Sequence, residues 1–102
     1  MPKVIVLYRL RPGISKSEFE KWSREVDQKV MIRQPGVTRY EIYRIEGAHD
    51  GSPAYDYAEN IDVEDWEQWQ GREDWEDLKP LVPAFERMVE AEKMVMLWGE
   101  RV

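Results

Sequence analysis

The sequence predicts an α+β fold with six elements in the order βαββαβ, a four-stranded antiparallel sheet with both helices on one face. Three observations predict it. The first and last segments read as strands, an amphipathic helix with a clear start signal follows the first, and a strand–loop–strand pair precedes the second helical region. Lys3-Val4-Ile5-Val6-Leu7-Tyr8-Arg9-Leu10 is apolar on both faces, because Val4, Val6, Tyr8 and Leu10 alternate with Ile5 and Leu7. Met94-Val95-Met96-Leu97-Trp98 repeats the property. Two helices cover one sheet face, so the other face predicts a second copy of the chain, a homodimer.

After the first strand, Arg11-Pro12-Gly13 is a turn, and Ser15 with Glu18 forms a capping box flanked by Ile14 and Phe19 as a hydrophobic staple. A helix over about 16–33 follows, with Phe19, Trp22, Val26 and Val30 as its buried stripe and Glu18, Lys21, Glu25 and Lys29 on its wet side. Gln34-Pro35-Gly36 ends it. Val37 to Ile45 reads as the second strand, 47–53 as a flexible hairpin loop, and Ala54 or Tyr55 to Ile61 as the third strand. Asp62 or Asp65 caps the next helical region, which Gly71, Pro80 and Pro83 divide into a piece around Trp66–Trp69 and a longer one from Pro80 to Glu92. Leu81, Val82, Phe85, Met88 and Val89 form the stripe of the longer piece, and Lys93 to Arg101 is the fourth strand. This order is that of a ferredoxin-like subunit.

At 102 residues the chain is expected to form one domain over 1–102. A formal net charge of −6 argues against nucleic acid, whose phosphates are bound by clustered Lys and Arg. No apolar run approaches the roughly 20 residues of a membrane span. The N-terminus enters a strand without the pattern of a secretory signal, so a cytoplasmic location is expected. Without cysteine there is neither a thiolate nucleophile nor a Cys-based zinc site, and neither calcium-loop nor phosphate-loop spacing is present. No metal and no cofactor is expected.

His49 is the only histidine, and it lies in the hairpin loop as a proton-shuttle candidate or a solvated loop residue. Tyr8, Tyr43, Tyr55 and Tyr57 fall on predicted strands. Their phenols either bind a carbonyl or phenolic ligand or pack in the core with one satisfied hydroxyl. Glu59 and Asp56 are acids in a predicted central strand, where burial raises a carboxyl pKa toward that of a general acid or base. The alternative is pairing with Arg39, Arg9 or Arg44. Five tryptophans suit a flat aromatic ligand, core packing or a dimer contact. The acidic run from Glu64 to Asp77 reads as a solvated face.

The opening 1–15, with Glu18-Phe19-Glu20 and Trp22, resembles that of the small dimeric α/β-barrel proteins. Within that superfamily, Ser52-Pro53-Ala54-Tyr55-Asp56-Tyr57 with Glu59 and Ile61-Asp62-Val63 resembles the REDY-like group associated with bacterial pigment and indole or pyrrole natural-product pathways. The resemblance implies a homodimer whose two sheets face each other as a barrel, and a pocket in each subunit between sheet and helices. Relatives in the wider superfamily include cofactor-free monooxygenases, polyketide cyclases, isomerases and decarboxylases. The catalytic histidine of the cyclase-like relatives has no counterpart in 71–92. The expected function is therefore that of a cofactor-independent enzyme acting on a small hydrophobic aromatic molecule. Tyr57, Glu59 and His49 are the catalytic candidates, and Tyr8, Trp22, Tyr43 and Phe85 line the pocket. A non-catalytic accessory protein that binds or protects such an intermediate is the alternative, and a dimeric module with only a protein partner is a third.

Overall fold

A computed structural model describes residues 1–102. Its elements are β1 (Lys3–Tyr8), a first helix α1 over 16–31, β2 (Val37–Arg44), β3 (Tyr57–Val63), a short helix α2 (Trp66–Gln70), α3 (Leu78–Met88) and β4 (Val95–Gly99). The strands form one antiparallel sheet in the order β2-β3-β1-β4, the arrangement expected of the βαββαβ chain. No helix is long and apolar enough to cross a membrane.

Alternation decides which side chains meet the helices. Val4, Val6 and Tyr8 of β1 pair with Ile61, Glu59 and Tyr57 of β3, and all six are buried. Opposite β3, Tyr40, Ile42 and Arg44 continue the same face by alternation, and a register shift between Val37 and Arg39 brings Val37 onto it as well. Phe19, Met31, Trp69, Leu78, Leu81 and Met88 close the core from the helical side.

The helix ends follow their local chemistry. Ser15 Oγ accepts from the Glu18 N–H at 3.0 Å, as the capping box predicts. Of the two candidate caps for the second helical region, Asp65 serves, accepting from the Glu67 N–H at 3.3 Å, while Asp62 stays in β3 and pairs with Lys3 and Arg39. Gly36, at φ +75°, makes the turn into β2; a Cβ there would stand 2.1 Å from Gln68 Oε1.

Two expectations are corrected. The stripe Phe19, Trp22, Val26, Val30 assumed a regular α-helix, but α1 contains a π-helical turn, Ser23–Asp27, between α-helical Lys16–Trp22 and Gln28–Met31. The Gln28 N–H bonds to the Ser23 carbonyl, five residues back. That wide turn holds the four-residue series Phe19, Ser23, Asp27, Met31 on the buried face and leaves Val26 at 40% exposure. The longer piece of the second helical region begins at Leu78 rather than Pro80. Pro80 stands within its first turn, where no intrahelical N–H bond is lost, and only Pro83 lies deeper.

The outer sheet face has no helix over it. Ile5 and Leu97, paired across β1 and β4, are 42% and 55% exposed, beside Leu7 and Val95. The rest of that face is polar: Lys3 and Arg39 flank Asp62, and Asn60 donates to Glu41 at 2.8 Å.

Candidate active site

Between the sheet and the helices lies a cavity of about 180 Å³, walled by apolar side chains including Val6, Met31, Leu81, Phe85, Met94 and Met96. Five groups break the apolar wall: Asp27 from α1, Tyr40 from β2, Glu59 from β3, Arg72 from the 3-10 turn Gly71–Asp74 after α2, and Glu86 from α3.

Glu59 and Asp27 are 5% and 2% exposed. Glu59 accepts from the Tyr8 hydroxyl at 2.7 Å through Oε2, while its Oε1 lies 3.1 Å from the Tyr40 hydroxyl. The same Tyr40 oxygen is 3.3 and 3.4 Å from the two oxygens of Asp27, and Ser23 Oγ lies 3.5 Å from Asp27 Oδ2. Tyr40 has a single hydroxyl proton. When it donates to Glu59, the contact with Asp27 is a hydrogen bond only if Asp27 carries a proton and donates to the phenol oxygen. These distances fit a relay in which a protonated Asp27 donates to Tyr40, Tyr40 donates to Glu59, and Tyr8 donates to the other Glu59 oxygen.

The electrostatics agree. Burial pushes the Asp27 carboxyl well above the usual carboxylate range, and the nearby Glu59 charge adds to the effect. Burial raises Glu59 as well, opposed by the two phenol donors and by Arg72. Tyr8 and Tyr40 are raised, first by burial and then by Glu59, so both stay protonated donors. Two carboxyls so placed share their titration, and the pair holds a proton where ordinary carboxylates have lost theirs.

The residues predicted from sequence divide. Glu59, Tyr8 and Phe85 meet at the cavity: Glu59 and Phe85 line it, and Tyr8 reaches Glu59 from beneath, its ring edge-on to Phe85 at 5.1 Å and to Phe19 at 5.9 Å. Tyr57, Trp22, Tyr43 and His49 lie elsewhere. The Tyr57 hydroxyl donates to Glu20 at 2.7 Å, where Arg44 clasps the same carboxylate with two bonds of 2.7 Å. Arg44 first, and Tyr57 second, hold Glu20 down to about 2. Trp22 packs behind the wall, 6.5 Å from Phe85 and 6.1 Å from Phe19. Tyr43 points from the opposite sheet face, because its alternation partner Ile42 takes the inner one, and it donates to Glu41 at 3.0 Å. His49 is exposed in the loop, away from the cavity lining. Asp56 caps the chain after β1, accepting from the Leu10 N–H at 2.9 Å.

None of the three arginines weighed as Glu59 partners reaches it. Arg39 pairs with Asp62, Arg44 with Glu20 and Arg9 with Glu90. Asp27, Tyr40 and Arg72 were not legible as site residues. A signal existed for the first: Phe19, Ser23, Asp27 and Met31 recur every four residues, a spacing a wide helical turn can align. Tyr40 follows Ile42 onto the inner face by alternation, but the irregularity that turns Val37 inward as well obscures the pattern, and Arg72 sits inside a run that reads as solvated acid.

A ferredoxin-like sheet with a cavity between it and its helices defines the class: the structural relatives are ferredoxin-like dimeric α/β-barrel proteins. The chain belongs to the family described as REDY-like protein HapK, which it matches over residues 2–102. It is similar to HapK from Hahella chejuensis, with 26% identity and a TM-score of 0.81 over 100% of this chain and 93% of that one. It shares the fold of SnoaB, a cofactor-independent oxygenase from Streptomyces nogalater, at 14% identity and a TM-score of 0.72, covering 99% and 92% of the two chains. A dimeric ferredoxin-like protein of unknown function from Thermobifida fusca aligns at 17% identity and a TM-score of 0.74, over 98% and 90%. No curated protein sequence matches the chain significantly.

Proposed function

We propose that this chain is a homodimeric, cofactor-independent enzyme of bacterial secondary metabolism that moves a proton on a hydrophobic aromatic intermediate of a pigment, indole or pyrrole type pathway. One observation carries the proposal: a carboxyl pair, Asp27 and Glu59, is joined through Tyr40 at the wall of an otherwise apolar cavity. Buried acids with raised proton affinity are costly to a fold and suit general acid–base work near neutrality. Glu59 is the base, Asp27 holds the replacement proton, and Tyr8 and Tyr40 stabilise charge on Glu59 or polarise a ligand carbonyl. The volume of about 180 Å³ exceeds the roughly 150 Å³ of an apolar cavity that takes benzene, so a flat ring fits. SnoaB supports the cofactor-independent part of the reading, since a protein of this fold is a cofactor-independent oxygenase. The homodimer is supported by the uncovered apolar half of the sheet and by relatives described as dimeric.

The test begins with thermal shift and tryptophan fluorescence against a panel of indoles and pyrroles. Those that bind are then followed by NMR in D₂O for catalysed exchange of ring C–H. Catalysis by the pair predicts exchange that slows by roughly 10²–10⁴ in Glu59→Gln while binding persists. Binding without catalysed exchange transfers the protein to the accessory-binder alternative. Absence of any binding removes the cavity as a ligand site.

A further inference from the structure

We propose that the ligand carries a carboxylate on its aromatic body and that Arg72 receives it; this deepens the reading above and rests on the cavity being a ligand site. Arg72 is the only cationic side chain lining the cavity. Its guanidinium lies over the Trp69 ring, 4.7 Å from the centroid, which fixes its plane. One terminal nitrogen donates to the Trp69 carbonyl at 3.2 Å and the other approaches Met96 Sδ at 3.6 Å, a weak acceptor. No carboxylate stands within 4.0 Å of it; Arg33, Arg87 and Arg101 are unpaired too but exposed, whereas Arg72 is half-buried, and Arg9, Arg11, Arg24, Arg39 and Arg44 each have a carboxylate partner.

Trp69, the platform under the guanidinium, is 3% exposed and lines the same cavity, so the cation is held at the wall. A half-buried guanidinium without a carboxylate partner in a ligand cavity marks where an anion belongs. Arginine's planar donors match a carboxylate with paired, charge-assisted bonds that a neutral carbonyl cannot equal. Glu59 does not compete, since it lies beyond ion-pair range and each of its oxygens already receives a phenol. With Asp27 protonated the network carries one shielded negative charge, and Glu86, which also lines the cavity, is exposed on α3, where water screens its charge.

The experiment compares indole-2-carboxylate with its neutral isostere indole-2-carboxamide by calorimetry on the wild type, Arg72→Gln, Arg72→Lys and Trp69→Phe, each checked for folding by its melting temperature. The wild type should prefer the carboxylate. Arg72→Gln should weaken the carboxylate roughly ten- to hundredfold and leave the carboxamide nearly unchanged. Lysine should restore part of the loss, and Trp69→Phe should lower carboxylate affinity by a smaller factor. Equal wild-type affinity for the two compounds, or equal losses for both in Arg72→Gln, overturns anion recognition while leaving the cavity a ligand site. Failure of both compounds and of indole itself to bind overturns the cavity reading and this inference with it. Should Arg72→Gln not fold, the wild-type preference and the Lys and Phe variants decide the question.

Discussion

Stability should fall as pH rises from 5 to 7, because the folded protein holds a proton on the Asp27–Glu59 pair that the unfolded chain has released. The sign follows from the direction of the shifts. Both carboxyls are raised by burial, so their stabilising protonation is complete below the ordinary carboxylate range and is lost as pH climbs through the raised values. Tyr40's single hydroxyl proton can serve only one of the two acids fully, which favours one such proton on the pair. One proton gives a slope of about 1.4 kcal/mol per pH unit, or about 3 kcal/mol between pH 5 and 7. The lowered carboxyls, Glu20, Glu41, Asp62 and Glu92, act in the opposite sense, but their stabilisation is lost only as pH falls below the ordinary range. Stability should therefore be greatest near pH 5. Urea unfolding at fixed protein concentration and several pH values measures the slope, in a His49→Ala background that removes the one histidine. Asp27→Asn, whose amide can donate to Tyr40 as the protonated acid does, should flatten the curve and be more stable than its parent at pH 8. A parent whose stability is level or rising from pH 5 to 7, or a full slope in an Asp27→Asn/Glu59→Gln double variant, would refute the shared-proton network.

Other outcomes follow from the same geometry. Wild-type protein at micromolar concentration should sediment near twice the 12.2 kDa chain mass, and Ile5→Asp should dissociate or unfold it by burying an unpaired charge; a wild-type mass of one chain contradicts the sheet-to-sheet dimer. Phe85→Ala should cost about 3–5 kcal/mol in chemical denaturation and weaken aromatic ligands, whereas Trp22→Ala should destabilise the fold with ligand affinity retained. Tyr57→Phe should lower the melting temperature, since Glu20 loses a donor, yet leave catalysed exchange close to wild type; loss of exchange there would bring Tyr57 into the chemistry.

The sheet, the succession of elements along the chain and the two ends of α1 were legible because each has a local cause: alternation in β1, the Ser15–Glu18 box, the Pro35-Gly36 stop. Glu59 was legible too, as an acid in a strand otherwise read as buried. What escaped depended on departures from regular geometry. A π-helical turn moves Asp27 inward and Val26 outward, and an irregularity after Val37 puts Val37 and Tyr40, three residues apart, on one face, which breaks the alternation a sequence reading follows. Arg72 was hidden by its neighbours, since Glu73 and Asp74 mark the turn as solvated although its guanidinium folds back over Trp69. Tyr57 shows the converse. It is as deeply buried as Tyr8, but its hydroxyl emerges on the far side of the core, against Glu20, and nothing in the strand pattern distinguishes the two.

The central claim, that a proton is held between Asp27 and Glu59 at the wall of a ligand cavity, is tested most directly by carbon NMR titration of the side-chain carboxyls with and without a bound indole. Two coupled titrations should appear well above those of the other acids. Replacing either partner should move the other toward the ordinary range, and the bound indole should perturb both. Titration of every Asp and Glu in the ordinary range or below it, or a raised pair that a bound indole leaves unmoved, would contradict it.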